Sequence, residues 1–273
     1  MVKVLKKSIA WVLSIVTVVF TITPETLFEK FKLFLYASDE VNVVLTRVIV
    51  FIAVLVLSIT INVLHLLCRR SIRIKGNNYC IQIKFGDLFR THACKKVIPF
   101  DECFTTIVGE APGDNNPGSI CGQYLKANPI NDDDMYTLIN NTQLKPAEIN
   151  SAYQNKDRYE SGKLVPNGDY LLMAFAKLDK DGLGGFSTRD EFLDCLSTLW
   201  KEIDKYYGQN DVCIPVLGSG STRMEGSPTQ QELLDIIIAS YKLSAHKIKP
   251  PCQLRIICKK RDGFSLNNIG ASM

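Results

Sequence analysis

Three short stretches of this chain carry residue types and spacings suited to chemistry. The first, "VLGSGSTRM" (216–224), places Gly218 and Gly220 where the backbone can bend and its amides converge. Hydroxyls on Ser219, Ser221 and Thr222 add donors, and Arg223 adds a charged fork whose geometry suits a phosphate. The second, "PGSICGQ" (117–123), is another glycine-bearing loop that runs into a helix. The third, "KFGDLF" (84–89), ends an apolar run with Gly86, Asp87 and Leu88. Such loops bind an anion. The first has neither the lysine nor the spacing of a P-loop NTPase. It also lies too far down the chain, and too far ahead of its helix, to be a dinucleotide fingerprint.

Elements must hold these loops, and the hydrophobic pattern predicts them. "YCIQIKF" (79–85), "CKKVIPF" (94–100), "DYLLMAFAKL" (169–178), "DVCIPVL" (211–217) and "CQLRIIC" (252–258) read as strands, with "TTIV" (105–108) following the second. Residues 111–122 are turn-rich, and 123–162 are polar and helical in pieces. Thr188-x-x-Glu191 is a capping box for a helix whose apolar face is Phe192, Leu196, Leu199, Trp200, Ile203 and Tyr207, stopped by Gly208. Ser227-Pro228-Thr229-Gln230 opens a second helix with proline at its first position. Strands alternating with helices predict an α/β domain of three layers.

The N-terminal region predicts something else. Residues 8–23 and 48–68 contain no charge, and the second run is about 30 Å long as a helix, the thickness of a bilayer's hydrocarbon core. The first spans if extended to about residue 27. A signal peptide is the rival for residues 1–23, but no small-x-small cleavage site follows. Lys3, Lys6 and Lys7 precede the first span and Arg69, Arg70, Arg73 and Lys75 follow the second. The positive-inside rule then puts both termini in the cytoplasm, in a multi-pass membrane protein. The expected division is 1–75, a transmembrane hairpin with spans of about 8–27 and 48–68, and 76–273, a cytosolic domain. Ser58, Asn62 and His65 form a polar stripe on the second span, for hydrogen bonding within the hairpin or for a subunit contact or pore lining.

Nine cysteines without a Cys-x-x-Cys pair fit a reducing compartment, and three scattered histidines give no zinc site. A net charge of +4, partly at the membrane boundary, does not imply nucleic acid. "DKDGLGGFSTRDEF" (179–192) imitates a calcium loop, yet Leu183 stands at its fifth position and Asp190 at its twelfth. A glycine-rich connection is expected there, and neither a metal nor a cofactor elsewhere.

The three loops, taken with "KKVIPFDECF" (95–104), "YLLMAFAKLD" and "VCIPVLGSGSTRM…SPTQQELLDIIIASY", resemble macro domains over roughly residues 78–262. They are most similar to the divergent macro domains of Thoeris antiphage systems, in which two transmembrane helices precede the domain. The resemblance implies a macro-domain-like α/β/α sandwich. It implies that Asp87 and the Leu88 backbone hold adenine, and that Gly118, Ser119, Ile120, Cys121 and Gly122 line one side of a pyrophosphate. Gly218, Ser219, Gly220, Ser221, Thr222 and Arg223 would close the other side and the distal ribose.

It further implies a partner TIR protein that converts NAD into an ADP-ribose conjugate, histidine-ADP-ribose or a related one, as the signalling ligand. Binding would drive homo-oligomerisation and disruption of the lipid bilayer, an abortive infection. Hydrolytic macro domains carry an Asn-Ala-Ala-Asn strand end where this chain reads "VIPFDECF". Asp101 and Glu102 could serve as a base there, but such a pair more often marks a helix start. A sensor is therefore expected. The alternatives are a membrane-tethered ADP-ribosyl hydrolase and a constitutive channel or structural membrane protein.

Overall fold

A computed structural model describes residues 11–15, 17, 21, 38–186, 188–220, 222–224 and 226–269. The chain divides into two compact units, residues 1–69 and 70–273.

In the first unit, helix α1 (Asp39–Leu67) is 29 residues long. Its stretch Glu40–Leu64 has a mean hydropathy of 2.7 and is long and apolar enough to cross a membrane. Leucine, isoleucine and valine side chains, among them Ile52, Val56, Leu57 and Ile61, stand exposed along it. Water disfavours that surface and hydrocarbon does not. Within the polar stripe, Asn62 donates its side-chain N–H to the Ser58 carbonyl one turn back, at 2.9 Å, which lowers its cost in lipid. Most of the expected first span lies outside the described residues; of it, 11–15, 17 and 21 are helical.

The second unit is built on one sheet with nine strands among the described residues. They are β1 (Ser71–Gly76), β2 (Tyr79–Phe85), β3 (Cys94–Asp101), β4 (Leu164–Asn167), β5 (Tyr170–Leu178), β6 (Gly184–Phe186), β7 (Asp211–Pro215), β8 (Arg223–Met224) and β9 (Leu254–Cys258). The order is β1-β2-β9-β7-β3-β5-β6-β8, with β4 also paired to β5. Strands β2, β9, β7, β3 and β5 are parallel; β1, β4 and β6 pair antiparallel to β2, β5 and β5. A parallel centre needs both faces covered, and the sequence supplies apolar residues in adjacent pairs that point opposite ways. Val97, Leu171, Met173, Val212, Ile214 and Ile256 join one core with α4 (Arg189–Tyr206) and α5 (Gln230–Leu243). Their neighbours Ile98, Leu172, Ala174, Cys213 and Ile257 join another with α2 (Ile120–Ala127) and α3 (Asp132–Asn141). The result is the three-layer sandwich.

Caps fix where the helices begin. The box at Thr188 and Glu191 is formed in both directions, at 3.2 and 3.3 Å. The next helix starts later than expected. Thr229 is its N-cap, paired reciprocally with Glu232, so Pro228 precedes the helix instead of opening it. A hydroxyl able to accept the Glu232 amide outweighs the proline preference. "TTIV" is not a strand and makes only a single bridge, Val108 to Asn115. Ser71–Gly76, expected as a basic boundary, is an edge strand whose exposed side alternates Ser71, Arg73 and Lys75, the charged pattern that tolerates an unpaired edge.

Candidate functional site

Parallel strands that end on one side of a sheet leave a crevice outside their C-terminal ends. Here that crevice is about 990 Å³. The exits of β2, β9, β7, β3 and β5 all open into it. At one end β2 delivers Gly86, Asp87 and Leu88. Asp87 Oδ1 accepts the Phe89 N–H at 2.9 Å, and its other oxygen faces the exposed Arg90 Nε at 3.7 Å. Leu88 is buried beneath, its carbonyl accepting the Thr91 hydroxyl at 2.6 Å.

The first glycine loop is organised by its own side chains. Asn116 Oδ1 accepts the Gly118 N–H at 2.8 Å, and Gln123 Nε2 donates to the Gly118 carbonyl at 2.9 Å. Ser119 caps α2 by accepting the Gly122 N–H at 2.9 Å. The amides of Ile120 and Cys121, which line the crevice, then stand at a helix start with no carbonyl one turn back. That is the electrostatic setting an anion seeks. Gly122 does not line the crevice. A Cβ there would sit 2.2 Å from the Asn116 carbonyl oxygen, so glycine is needed for the loop to lie on the helix. Burial pushes the Cys121 thiol far above its ordinary range, so it offers an amide and not a nucleophile.

The second loop leaves β7 through the buried Val216 and Leu217. Its glycines have different duties. Gly218 has φ +76°, and a Cβ would meet Met224 and Leu233 at 3.0 and 3.4 Å. It shapes the bend. Gly220 has nothing within 4 Å of a Cβ. It faces open space. Ser219, expected as a donor, spends its proton on the Val216 carbonyl at 2.7 Å and keeps only acceptor capacity. Thr222 lines the crevice. Arg223 is in β8, paired with Gly185; its side chain, like all of Ser221, lies outside what is described.

Asp101 and Glu102 do not start a helix. Asp101 ends β3 at a register shift and is buried, accepting the Cys103 N–H at 2.8 Å, the Thr105 N–H and the Thr105 hydroxyl. Glu102 accepts the Ser161 hydroxyl and faces Arg158 Nε at 3.6 Å. Burial raises both carboxyl pKa values, against the pull of these hydrogen bonds. Asp101 is thus committed to the backbone and to Thr105, and Glu102 to Ser161 and the charge of Arg158. The "calcium" loop is likewise closed on itself, with Asp179 Oδ1 accepting the Asp181 and Leu183 amides, both at 2.9 Å. No group of three metal-ligating side chains occurs among the described residues.

The family model for the macro domain of Thoeris protein ThsA matches residues 81–259. The chain belongs to the ThsA macro-domain family. Thoeris protein ThsA of Bacillus amyloliquefaciens (strain Y2) is 27% identical over 264 residues, 94% of this chain and 86% of that protein. Among solved structures, a mutant of the Oceanobacillus iheyensis macrodomain aligns with a TM-score of 0.47 and 10% identity, over 71% of this chain and 91% of its own. The same organism's macrodomain with ADP gives 0.45 and 11%, over 70% and 89%.

Within this ThsA-family crevice the structure brings together ten of the thirteen site residues expected from sequence: Asp87, Leu88, Gly118, Ser119, Ile120, Cys121, Gly218, Ser219, Gly220 and Thr222. Sequence reasoning missed three walls: Gly109–Asn116, Gly182–Gly184, and the pair Lys259 and Arg261. The last was legible. "CKKRDG" follows the final strand, and every parallel strand exit opens on the crevice. The first two come together only through folding.

Proposed function

We propose that this protein is a membrane-anchored receptor-effector of bacterial antiphage defence, and that its crevice takes an ADP-ribose conjugate. Membership of the ThsA macro-domain family and the 27% identity to a Thoeris protein support the defence setting. One observation carries the ligand reading. Two glycine loops far apart in the chain border the same crevice, which is also lined by Ile120 and Cys121 at the start of α2 and by the cations Lys259 and Arg261. A diphosphate is recognised by such a spread of short donors, with positive charge at the rim.

Adenine lies at Asp87 and Leu88, the diphosphate crosses between Ile120–Cys121 and Gly218–Thr222, and the distal ribose points toward Gly182–Gly184. The ligand is histidine-ADP-ribose or a related conjugate made from NAD by a TIR partner. Binding assembles the subunits, and the hairpin of two spans, of which α1 is the second, then breaches the inner membrane.

Calorimetry of the full chain in detergent with ADP-ribose tests this. Asp87→Ala and Gly220→Leu should each abolish the heat of binding and, in cells carrying the TIR partner, protection against phage. Unchanged binding by both variants would remove the assigned pocket.

A further inference from the structure

The crevice ends in a wall made by Gly109–Asn116 and Gly182–Gly184. Strand order places Gly86–Leu88 at one end and Gly182–Gly184, which opens β6, at the other. At that far end two loops meet backbone to backbone. A Cβ on Gly182 would sit 2.7 and 2.8 Å from the Gly113 nitrogen and Cα. Gly113, with φ +87°, lies so close on Tyr153 that its own Cβ would be 2.1 Å from the phenol oxygen.

What holds the 109–116 segment there is a relay from the end of β3. Asn115 Nδ2 reaches the Thr105 carbonyl at 2.7 Å, Thr105 Oγ1 at 3.2 Å and the Ile107 carbonyl at 3.3 Å. An amide nitrogen can only donate, so Thr105 Oγ1 accepts from Asn115 and gives its single proton to Asp101. Asp101 also accepts the Cys103 and Thr105 amides. The backbone completes the loop with Asn115 N–H to the Ile107 carbonyl at 2.9 Å and Gly109 N–H to the Asn115 carbonyl at 3.3 Å. Directional bonds of this kind fix one loop conformation, and their loss leaves the wall to choose among several.

We propose that Asp101, Thr105 and Asn115 are positioning residues. Through the 109–116 wall they make the crevice select nucleoside diphosphates that carry a further sugar-sized group over bare nucleoside diphosphates. The selectivity rests on the functional reading above; the relay does not. Removing a hydroxyl from the relay leaves the adenine and diphosphate walls intact. It should therefore cost only the ligand long enough to reach the far end.

The test uses the full chain in detergent, with ADP and ADP-ribose as probes, and the variants Thr105→Val, Asn115→Ala and Thr105→Ser. Thr105→Val and Asn115→Ala should weaken ADP-ribose by about tenfold and leave ADP within about twofold, while Thr105→Ser binds both as wild type does. Amide hydrogen exchange on the ligand-free chain reads the relay separately. Gly109 and Asn115 should lose protection in the Val and Ala variants, with Gly122 unaffected. Equal losses for the two probes, or no loss, would overturn the selectivity. Unaltered exchange would overturn the relay. A wild-type chain that binds neither probe would overturn the functional reading and the selectivity with it, and exchange would still decide on the relay.

Discussion

At the scale of single residues, the two glycines of the second loop make opposite predictions. A Cβ at Gly220 meets nothing within 4 Å, so Gly220→Leu should melt within a few degrees of wild type while filling the crevice. Gly218→Ala forces a side chain to φ +76° against Met224 and should lose about 1–2 kcal/mol of stability, read by denaturant unfolding. Asp101 carries a pH signature. Burial raises its folded pKa above the ordinary 3.8, so between the two values the folded state keeps a proton the unfolded chain has released. Stability contributed by this group therefore falls as pH climbs through that window. Asp101→Asn should flatten the profile there; an unchanged slope would reassign it.

Elements show how far sequence reads. The capping box at Thr188 and the alternating faces of β5 and β7 were legible because their causes are local: a hydroxyl three residues before a carboxylate, apolar side chains two apart. Glu102 was misread because its partners, Ser161 and Arg158, assemble only when β3 meets the segments around it, and Asp101 because it closes a local turn onto Cys103 and Thr105 that a helix start imitates in sequence. Gly182's need for glycine is set by Gly113, far away in sequence. Lys259 and Arg261 belong to an element end that could have been anticipated. Replacing both by alanine should weaken ADP-ribose binding about tenfold and make what remains less sensitive to salt, because rim charge acts through a screened field. Calorimetry at low and high ionic strength separates that from lost contacts.

For the whole molecule, the crevice joins residues from Gly86 to Arg261, so a ligand there draws its affinity from the complete sheet. The helix α1 is independent of that chemistry. Its apolar run was legible because such a run needs no tertiary partner to be recognised, but its start was not: the helix begins at Asp39, well before the span expected at 48–68. Val54→Arg places a charge mid-helix and should cost about 2.5–3.5 kcal/mol of insertion. In residues 38–273 alone, without the expected first span, fractionation should then move the chain out of the membrane pellet. Recovery of the variant wholly in membranes would contradict a spanning role for α1.

Trp200 sits wholly inside the core formed with α4 and α5, its indole N–H donating to Ser240 at 2.8 Å. The chain's other tryptophan is Trp11. With Trp11→Phe, near-ultraviolet emission becomes a monochrome gauge of one side of the sandwich. A red shift then announces unfolding, whereas a variant dark to nucleotide but still blue-emitting has merely lost its grip on the ligand.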